Sequence, residues 1–346
     1  MGTEAMQTFV PVVTGETIPP GERLRSASGF VDRMRGQRIL VVGDIMIDEW
    51  IWGSVERISP EAPVPVVAVG NHSFTLGGAG NVAKNLRAFG ADVDFVGVVG
   101  RDGKAERVVE LLNDAGIGHH LLLTSPDRPT TCKTRIVAHN QQVVRADWES
   151  TKPLHADEVA RLQRALTAEI GEYDAVVLSD YAKGVLSRSL VESVIGHRVT
   201  VADPKPKNVD LFAGVTCVAP NVYEAGLASG IDIVDEESLE RAGTILLQRL
   251  QCRYVVITRG ERGMALFGRD GERSLIPSVA RTVYDVSGAG DTVVATLSLA
   301  LAVDVPIIMA LEMANAAAGV VVEQLGTAVA DPLAMLALFR EVAGAR

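Results

Sequence analysis

Cysteine is scarce and scattered in this 346-residue sequence: Cys132, Cys217 and Cys252, with no CxxC pair. Such a set is neither a disulfide framework nor a zinc site. The six histidines include His119-His120 but show no HExxH or comparable ligand spacing. Basic charge is short as well, with 33 Lys and Arg against 43 Asp and Glu and a net charge of −10. That balance offers no electrostatic footprint for nucleic acid and repels anionic lipid. Long apolar runs are missing: the most apolar stretch, Thr292 to Val303, is bordered by Asp291 and Asp304 and is too short to span a bilayer. Residues 1–36 show no signal-peptide pattern, because Glu4 precedes any cation and no apolar segment follows. No GxxxxGK[ST] occurs, which excludes a P-loop NTPase. The expectation is a soluble cytoplasmic protein with small-molecule partners, no nucleic acid and no membrane. A small anionic substrate stays open, since a local basic pocket does not need a basic protein.

What is present is ordinary globular composition, 47% hydrophobic and 22% charged, enough for one large core or two modest ones. The first 36 residues mix Thr, Gly, Pro and Ser with little periodicity and read as a flexible tail. Order is expected from Arg38-Ile-Leu-Val-Val-Gly43, a β-branched run ending in Gly that suits a buried parallel strand. Strand-like and helix-like segments then alternate. Val93–Val99, Ala175–Ser179, Val199–Ala202 and Val215–Val218 read as strands, and Gly103–Ala115 as an amphipathic helix. Tyr254–Thr258 and Met264–Phe267 read as an edge hairpin, and the residues from Asp291 onward as three helices. Alternation of this kind specifies an α/β layered fold with ligands at the C-terminal ends of the strands. Two stretches interrupt it. Residues 50–70, with Pro60, Pro63 and Pro65, and residues 130–147, a hairpin turning at His139-Asn140-Gln141, read together as a small β lid.

Three Gly-rich sites carry the chemistry. Leu76-Gly77-Gly78-Ala79-Gly80-Asn81 leads into a helix. Gly78, Gly80 and Ala83 match GxGxxA, with Asp102 downstream, but that dinucleotide fingerprint belongs after the first strand, which here ends in Gly43-Asp44. A backbone-lined pocket floor at a helix start is the better reading. Asp285-Val-Ser-Gly-Ala-Gly-Asp291-Thr292 precedes the apolar helix. A lone Asp there would be an N-terminal helix residue, yet a cap does not need three small residues before it. An anion-holding loop beside a carboxylate is what phosphoryl transfer requires. The third site, Thr258-Arg-Gly260-Glu-Arg-Gly263, is a strand end followed by a tight Gly turn and, taken alone, reads as a hairpin turn. Asn221 and Glu224 follow another strand end, where they can form a capping box or help place Mg²⁺-bound phosphates through water.

Together these segments resemble the ribokinase, or PfkB, family of carbohydrate kinases, over about residues 37–346. The diagnostic stretches are Gly77-Gly-Ala-Gly-Asn81 and Asp285-Val-Ser-Gly-Ala-Gly-Asp291. Val42-Gly-Asp-Ile-Met-Ile-Asp48, Arg57-Ile-Ser-Pro-Glu-Ala-Pro-Val-Pro65, Ser179-Asp-Tyr-Ala-Lys-Gly184, Asp203-Pro-Lys205 and Ala219-Pro-Asn-Val-Tyr-Glu224 are similar to the heptose-7-phosphate kinase branch. In that branch the kinase is often fused to an adenylyltransferase; no HxGH motif occurs here, so a stand-alone kinase is expected. The resemblance implies a mostly parallel sheet flanked by helices, and phosphorylation of the anomeric hydroxyl of D-glycero-D-manno-heptose 7-phosphate by ATP with Mg²⁺. The 1,7-bisphosphate product would serve lipopolysaccharide inner-core synthesis.

By the same resemblance, Asp291 matches the catalytic base and the amides of Gly288, Ala289 and Gly290 the anion hole. Asp44, Gly78 and Asn81 fall on sugar-binding positions. Asn221 and Glu224 match the Mg-nucleotide motif, with no direct protein ligand to the metal. Thr258, Gly260 and Gly263 lie on the nucleotide side and Asn315 near adenine. Val286 stands where much of the wider family has Thr, which weakens the case for a monovalent-cation site. A substrate phosphate needs cations: the candidates are Lys133, Arg135, Arg145, Lys183 and Lys205, with Arg145, Lys183 and Lys205 favoured. An exposed lid would want covering, and Val64, Val66, Val67 and Val69 suggest a homodimer. The rival readings are another sugar or sugar-phosphate kinase of the family, a non-catalytic sugar or nucleotide sensor, and a dinucleotide-dependent oxidoreductase.

Overall fold

The run Ile39–Val42 has no exposed side chain, the environment a β-branched segment needs when helices cover both faces of a sheet. It forms β1 (Arg38–Gly43), an interior strand of a nine-stranded sheet. The computed structural model describes residues 20–344, apart from residues 140 and 325. The chain opens with α1 (Pro20–Met34) and, after β1, makes two long strands, β2 (Ile45–Ile58) and β3 (Pro65–Gly78). Next come α2 (Ala79–Ala88), β4 (Asp92–Val99), α3 (Gly103–Asp114) and β5 (Gly118–Thr124). A hairpin of β6 (Cys132–Ala138) and β7 (Gln141–Trp148) follows, then α4 (Ala156–Glu169), β8 (Ala175–Ser179), α5 (Arg188–Glu192) and β9 (Thr200–Asp203). The second half adds β10 (Cys217–Val218), α6 (Val222–Ser229), α7 (Glu236–Leu250), β11 (Tyr254–Thr258), β12 (Met264–Gly268) and β13 (Arg273–Ile276). Three helices, α8 (Ala289–Ala302), α9 (Ile307–Val322) and α10 (Pro332–Gly344), complete it.

The large sheet runs β13-β12-β11-β10-β9-β8-β1-β4-β5. It is parallel from β11 to β5 and antiparallel at β11/β12 and β12/β13. Period-two alternation splits the buried strand residues between two cores. Ile39, Val41, Val177, Val201 and Val256 pack with α2, α8, α9 and α10. Leu40, Val42, Val176, Leu178 and Val255 pack with α4, α5 and α7 on the other face. No helix among the described residues is long and apolar enough to cross a membrane.

The second sheet has the order β3-β2-β6-β7. It is longer than residues 50–70 and 130–147: β2 begins at Ile45, and β3 runs into Gly77-Gly78. The sheet thus carries the glycine loop directly into α2. Two further differences from the sequence reading stand out. Residues 20–34 are not a tail but a helix whose Ala27, Val31 and Met34 are buried in the first core; residues 1–19 lie outside the described residues. The spacing 27, 31, 34 is a helical stripe hidden among Ser, Gly and Arg. The hairpin β11/β12 is not the edge, because the short strand β13 pairs outside it.

Candidate active site

Parallel strands end together, so Asp44 after β1, Asp180 after β8, Asp203 at the end of β9 and Thr258 at the end of β11 share one edge of the sheet. The start of α8 approaches the same edge. Gly288 caps that helix with φ +81°, a left-handed conformation that suits glycine. Asp291 follows in the first turn and is buried. Its Oδ2 accepts from Asn81 Nδ2 at 2.7 Å and its Oδ1 from the Tyr181 hydroxyl at 2.7 Å. Burial pushes its carboxyl above the usual range, while the Asn81 and Tyr181 hydrogen bonds and Lys205 oppose that rise. Asn81 comes from the first turn of α2, and its buried Oδ1 has no hydrogen-bond donor among the described residues. An acceptor so placed beside a carboxylate fits a ligand hydroxyl.

On one side of Asp291 lies a pocket of about 140 Å³ lined by Tyr181, Asp203, Lys205, Asn221, Glu224 and Gly288, among others. Burial pushes the Asp203 carboxyl up to about 8, against the pull of Lys205 and with help from Glu224, Asp291 and Asp180. Lys205 pairs with Glu224. Although burial works against its charge, Asp203 and Glu224 hold its ammonium above the ordinary value. Asn221 and Glu224 form the capping box of α6: Asn221 Oδ1 accepts from Glu224 N at 2.9 Å, and Asn221 N donates to Glu224 Oε2 at 3.1 Å. The cap and the pocket lining are therefore one arrangement, not alternatives. Oxygen-bearing Asp203, Asn221 and Glu224 suit a Mg²⁺ that keeps its waters.

Thr258 and Gly290 join this pocket to a cavity of about 380 Å³. Gly260, Gly263, Ala289, Asn315 and Gly319 line that cavity with Val283, Val286, Val293 and Val322. Apolar walls with a few polar groups suit a flat heterocycle. Gly263 has φ +78°, and a Cβ there would lie 1.9 Å from Ile276 O, so the turn demands glycine. Asn315 Nδ2 donates to Pro277 O at 2.7 Å.

The other side of Asp291 is roofed by the second sheet. Gly78 turns from β3 into α2 at φ +58°, and a Cβ there would lie 2.6 Å from Asp44 O. Asp48 on β2 is buried, pairs with Arg135 of β6, and lies close enough to Asp291 to raise its pKa. The Arg135 guanidinium also stacks 5.0 Å from the Trp50 ring centre. Lys84 of α2 donates to Thr75 Oγ1 at 3.1 Å, and burial lowers its pKa against the Asp48 charge. Asp48, Arg135 and Lys84 therefore form a charged roof.

Among the residues read from sequence, the structure brings Asp291, Asn81, Gly288 and Gly290 together, with Asn221, Glu224 and Thr258 beside them. Gly260, Gly263, Ala289 and Asn315 line the adjoining cavity. Asp44 is placed differently. It is 1% exposed, and its carboxylate accepts from the backbone N–H groups of Tyr181, Lys183 and Val185 at 2.9, 3.0 and 3.2 Å. Three backbone N–H groups of the loop thus hold this carboxylate at the strand end, and Asp48 is the carboxylate on the roof. Lys205 sits in the pocket with Asp203 and Glu224, away from the roof cations. Lys183 pairs with Glu149 at 2.6 Å. Arg145, on the sheet's outermost strand, is bound to Asp147 at 2.9 and 3.0 Å and is half exposed. Of the cations considered, Arg135 is the one that reaches Asp48. Tyr181 and Asp203 were missed as site residues, although both stand in motifs that mark the resemblance. Asp102 caps α3 and binds Thr130 N, which leaves the dinucleotide reading without its ribose carboxylate.

A model of the pfkB family carbohydrate kinases matches residues 37–333. The bifunctional protein HldE of Pelobacter propionicus is 42% identical over 313 residues, covering 89% of this chain and 64% of that protein. That of Desulfatibacillum aliphaticivorans is 44% identical over 299 residues, covering 85% and 61%. This chain thus spans less than two thirds of the length of these relatives. Among solved structures, Arabidopsis thaliana ribokinase complexed with ribose and ATP superposes with TM-score 0.70 at 19% identity, over 88% of this chain and 99% of that one. Escherichia coli phosphofructokinase-2 in complex with potassium gives 0.73 at 16%, over 89% and 99%. At such identities the likeness shows the fold, ribokinase-like, and the family match carries the rest. The chain belongs to the pfkB family of carbohydrate kinases and is a sugar kinase.

Proposed function

We propose that this kinase transfers the γ-phosphoryl group of MgATP to the anomeric hydroxyl of D-glycero-β-D-manno-heptose 7-phosphate, as a step toward ADP-heptose and the lipopolysaccharide core. The observation that carries the reading is Asp291, held by two donors between a cation-bearing roof and the nucleotide-sized cavity. The HldE relatives and the branch motifs support the heptose acceptor. Asp291 takes the proton of the sugar O1 as that oxygen bonds to the γ-phosphorus and the bond to the ADP oxygen breaks. Amides at Gly288 and Gly290 meet the charge on the moving group, whereas the Ala289 amide, expected from the sequence to join them, donates to Val286 O at 3.2 Å. Asn221, Glu224 and Asp203 line the pocket that would hold, through water, the Mg²⁺ travelling with ATP, and the ion would supply charge neutralisation to the polyphosphate. Asn81 and Asp48 bind sugar hydroxyls, and Arg135, which pairs with Asp48, meets the 7-phosphate.

An acceptor panel tests the assignment. Heptose 7-phosphate is expected to exceed fructose 6-phosphate and ribose in kcat/KM by at least about 100-fold, the scale of two charge-assisted hydrogen bonds. Arg135→Ala should raise KM for the sugar phosphate about tenfold or more while leaving KM for ATP nearly unchanged. Equal use of ribose and heptose 7-phosphate would shift the acceptor to a neutral sugar.

The second sheet also supports a homodimer. Val69 and Trp148 are 62 and 57% exposed on it, Val64 in the turn just before β3 is 51% exposed, and both faces of its outer strand β7 are open. Sedimentation at micromolar concentration is expected to give a dimer, and Val69→Glu to shift it toward monomer. A monomer in the unmutated protein contradicts this.

A further inference from the structure

The loop Asp180–Val185 is fixed far more firmly than a connection between β8 and α5 requires. Asp44 takes three of its N–H groups, as described above. Asp180, also buried, accepts from Ala182 N at 2.7 Å, from Lys205 N at 3.0 Å and from Asn208 Nδ2 at 3.0 Å. Between these anchors Ala182 has φ +57°, a left-handed conformation that is unfavourable for a residue with a Cβ. Strain of this kind persists only where the surroundings over-determine it, and it clusters at functional sites. What the loop delivers is the Tyr181 hydroxyl, 2.7 Å from Asp291 Oδ1. The Lys205 ammonium lies 5.2 Å from the centre of the same ring, on the side of the small pocket.

We infer that Tyr181 is a positioning residue for phosphoryl transfer: its hydroxyl, set by a loop that Asp44 and Asp180 clamp, fixes the orientation of the Asp291 carboxylate. This rests on the proposed role of Asp291 as proton acceptor and assigns Asp44 to the support of that acceptor. Asn81 holds one carboxylate oxygen and Tyr181 the other, so rotation of the carboxylate is blocked from both sides. Each oxygen keeps a further lone pair, and one of these can face the attacking hydroxyl. Burial and the Asp291 charge keep the Tyr181 phenol well above its ordinary pKa, so it stays a donor and does not compete for the proton. Without it, Asp291 would still be present but free to turn toward Lys205 or away from the sugar.

The test is Tyr181→Phe, which removes one oxygen and keeps the ring. The expected result is a fall in kcat of about 10- to 100-fold, the range for a hydrogen bond to a charged group. KM for ATP and for the sugar phosphate should stay within about threefold, with the melting temperature close to that of the unmutated protein. In single turnover with excess enzyme, Tyr181→Phe should add little to the loss already caused by Asp291→Asn, because it acts through that carboxylate. Unchanged kcat in Tyr181→Phe would overturn the inference. So would a loss shared equally between kcat and KM, or one that multiplies the Asp291→Asn loss in full. If Asp291→Asn itself turns over normally, the base assignment has failed first, and that result is separate.

Discussion

Asp291→Asn is expected to cost about 10³-fold in kcat, within the range for loss of a positioned general base. The side chain keeps its size and one acceptor oxygen, so the fold and ATP binding should survive. Calorimetry with MgATP would check the binding and ADP release the turnover. The amide can no longer take the sugar proton, and its NH₂ would clash with the donating Asn81 amide or, if turned the other way, oblige the Tyr181 hydroxyl to rotate and accept. The pH profile should change with it. Burial raises the Asp291 pKa, so the unmutated enzyme should lose activity on acidification at a pH above the ordinary carboxylate range. The direction follows from the ionised form being the acceptor: activity is present above the raised pKa and lost below it. The Asn variant should lack that limb. Equal turnover in both proteins would remove Asp291 from the mechanism.

Gly288→Ala should be the next most damaging single change at the site. At φ +81° an alanine is strained by about 1 kcal/mol. Its Cβ would also lie 2.7 Å from Asn81 Nδ2, the donor that holds Asp291 Oδ2. Asn81 is itself buried, so it must shift and surrender a hydrogen bond to a charged group. The expected outcome is a kcat loss of about 10- to 100-fold, with a small fall in melting temperature. Gly288 also lines the small pocket beside Asp291, so a shift of the loop should raise KM for ATP. Normal kcat in Gly288→Ala would mean that the loop is not an anion hole.

The parallel strands were legible because burial on both faces turns each into a short apolar run with no polar alternation. Ile39–Val42 and Ala175–Ser179 read directly as strands for that reason. The helix over 20–34 was not, since its apolar stripe of Ala27, Val31 and Met34 is interrupted by polar residues and Gly29. Strand β13, Arg273–Ile276, is four residues long and too short to show periodicity. At the site, glycine spacing located α8 and the start of α2, where backbone geometry demands small residues. Spacing could not separate Asp44 from Asp48. Both follow β1 closely, but a new strand begins at Ile45 and carries Asp48 onto the roof, while Asp44 stays at the strand end under the loop. Nor could it reveal Tyr181, whose role depends on two distant carboxylates folding its loop.

The central claim is that phosphate is transferred to the anomeric oxygen of a sugar that already carries one. Phosphorus-31 NMR of a reaction containing MgATP, heptose 7-phosphate and this protein tests it directly. The prediction is a second sugar phosphate signal coupled to the anomeric proton, growing in step with ADP and absent with Asp291→Asn. ADP formed with the new phosphate on any other carbon, or no phosphorylated sugar at all, would contradict it.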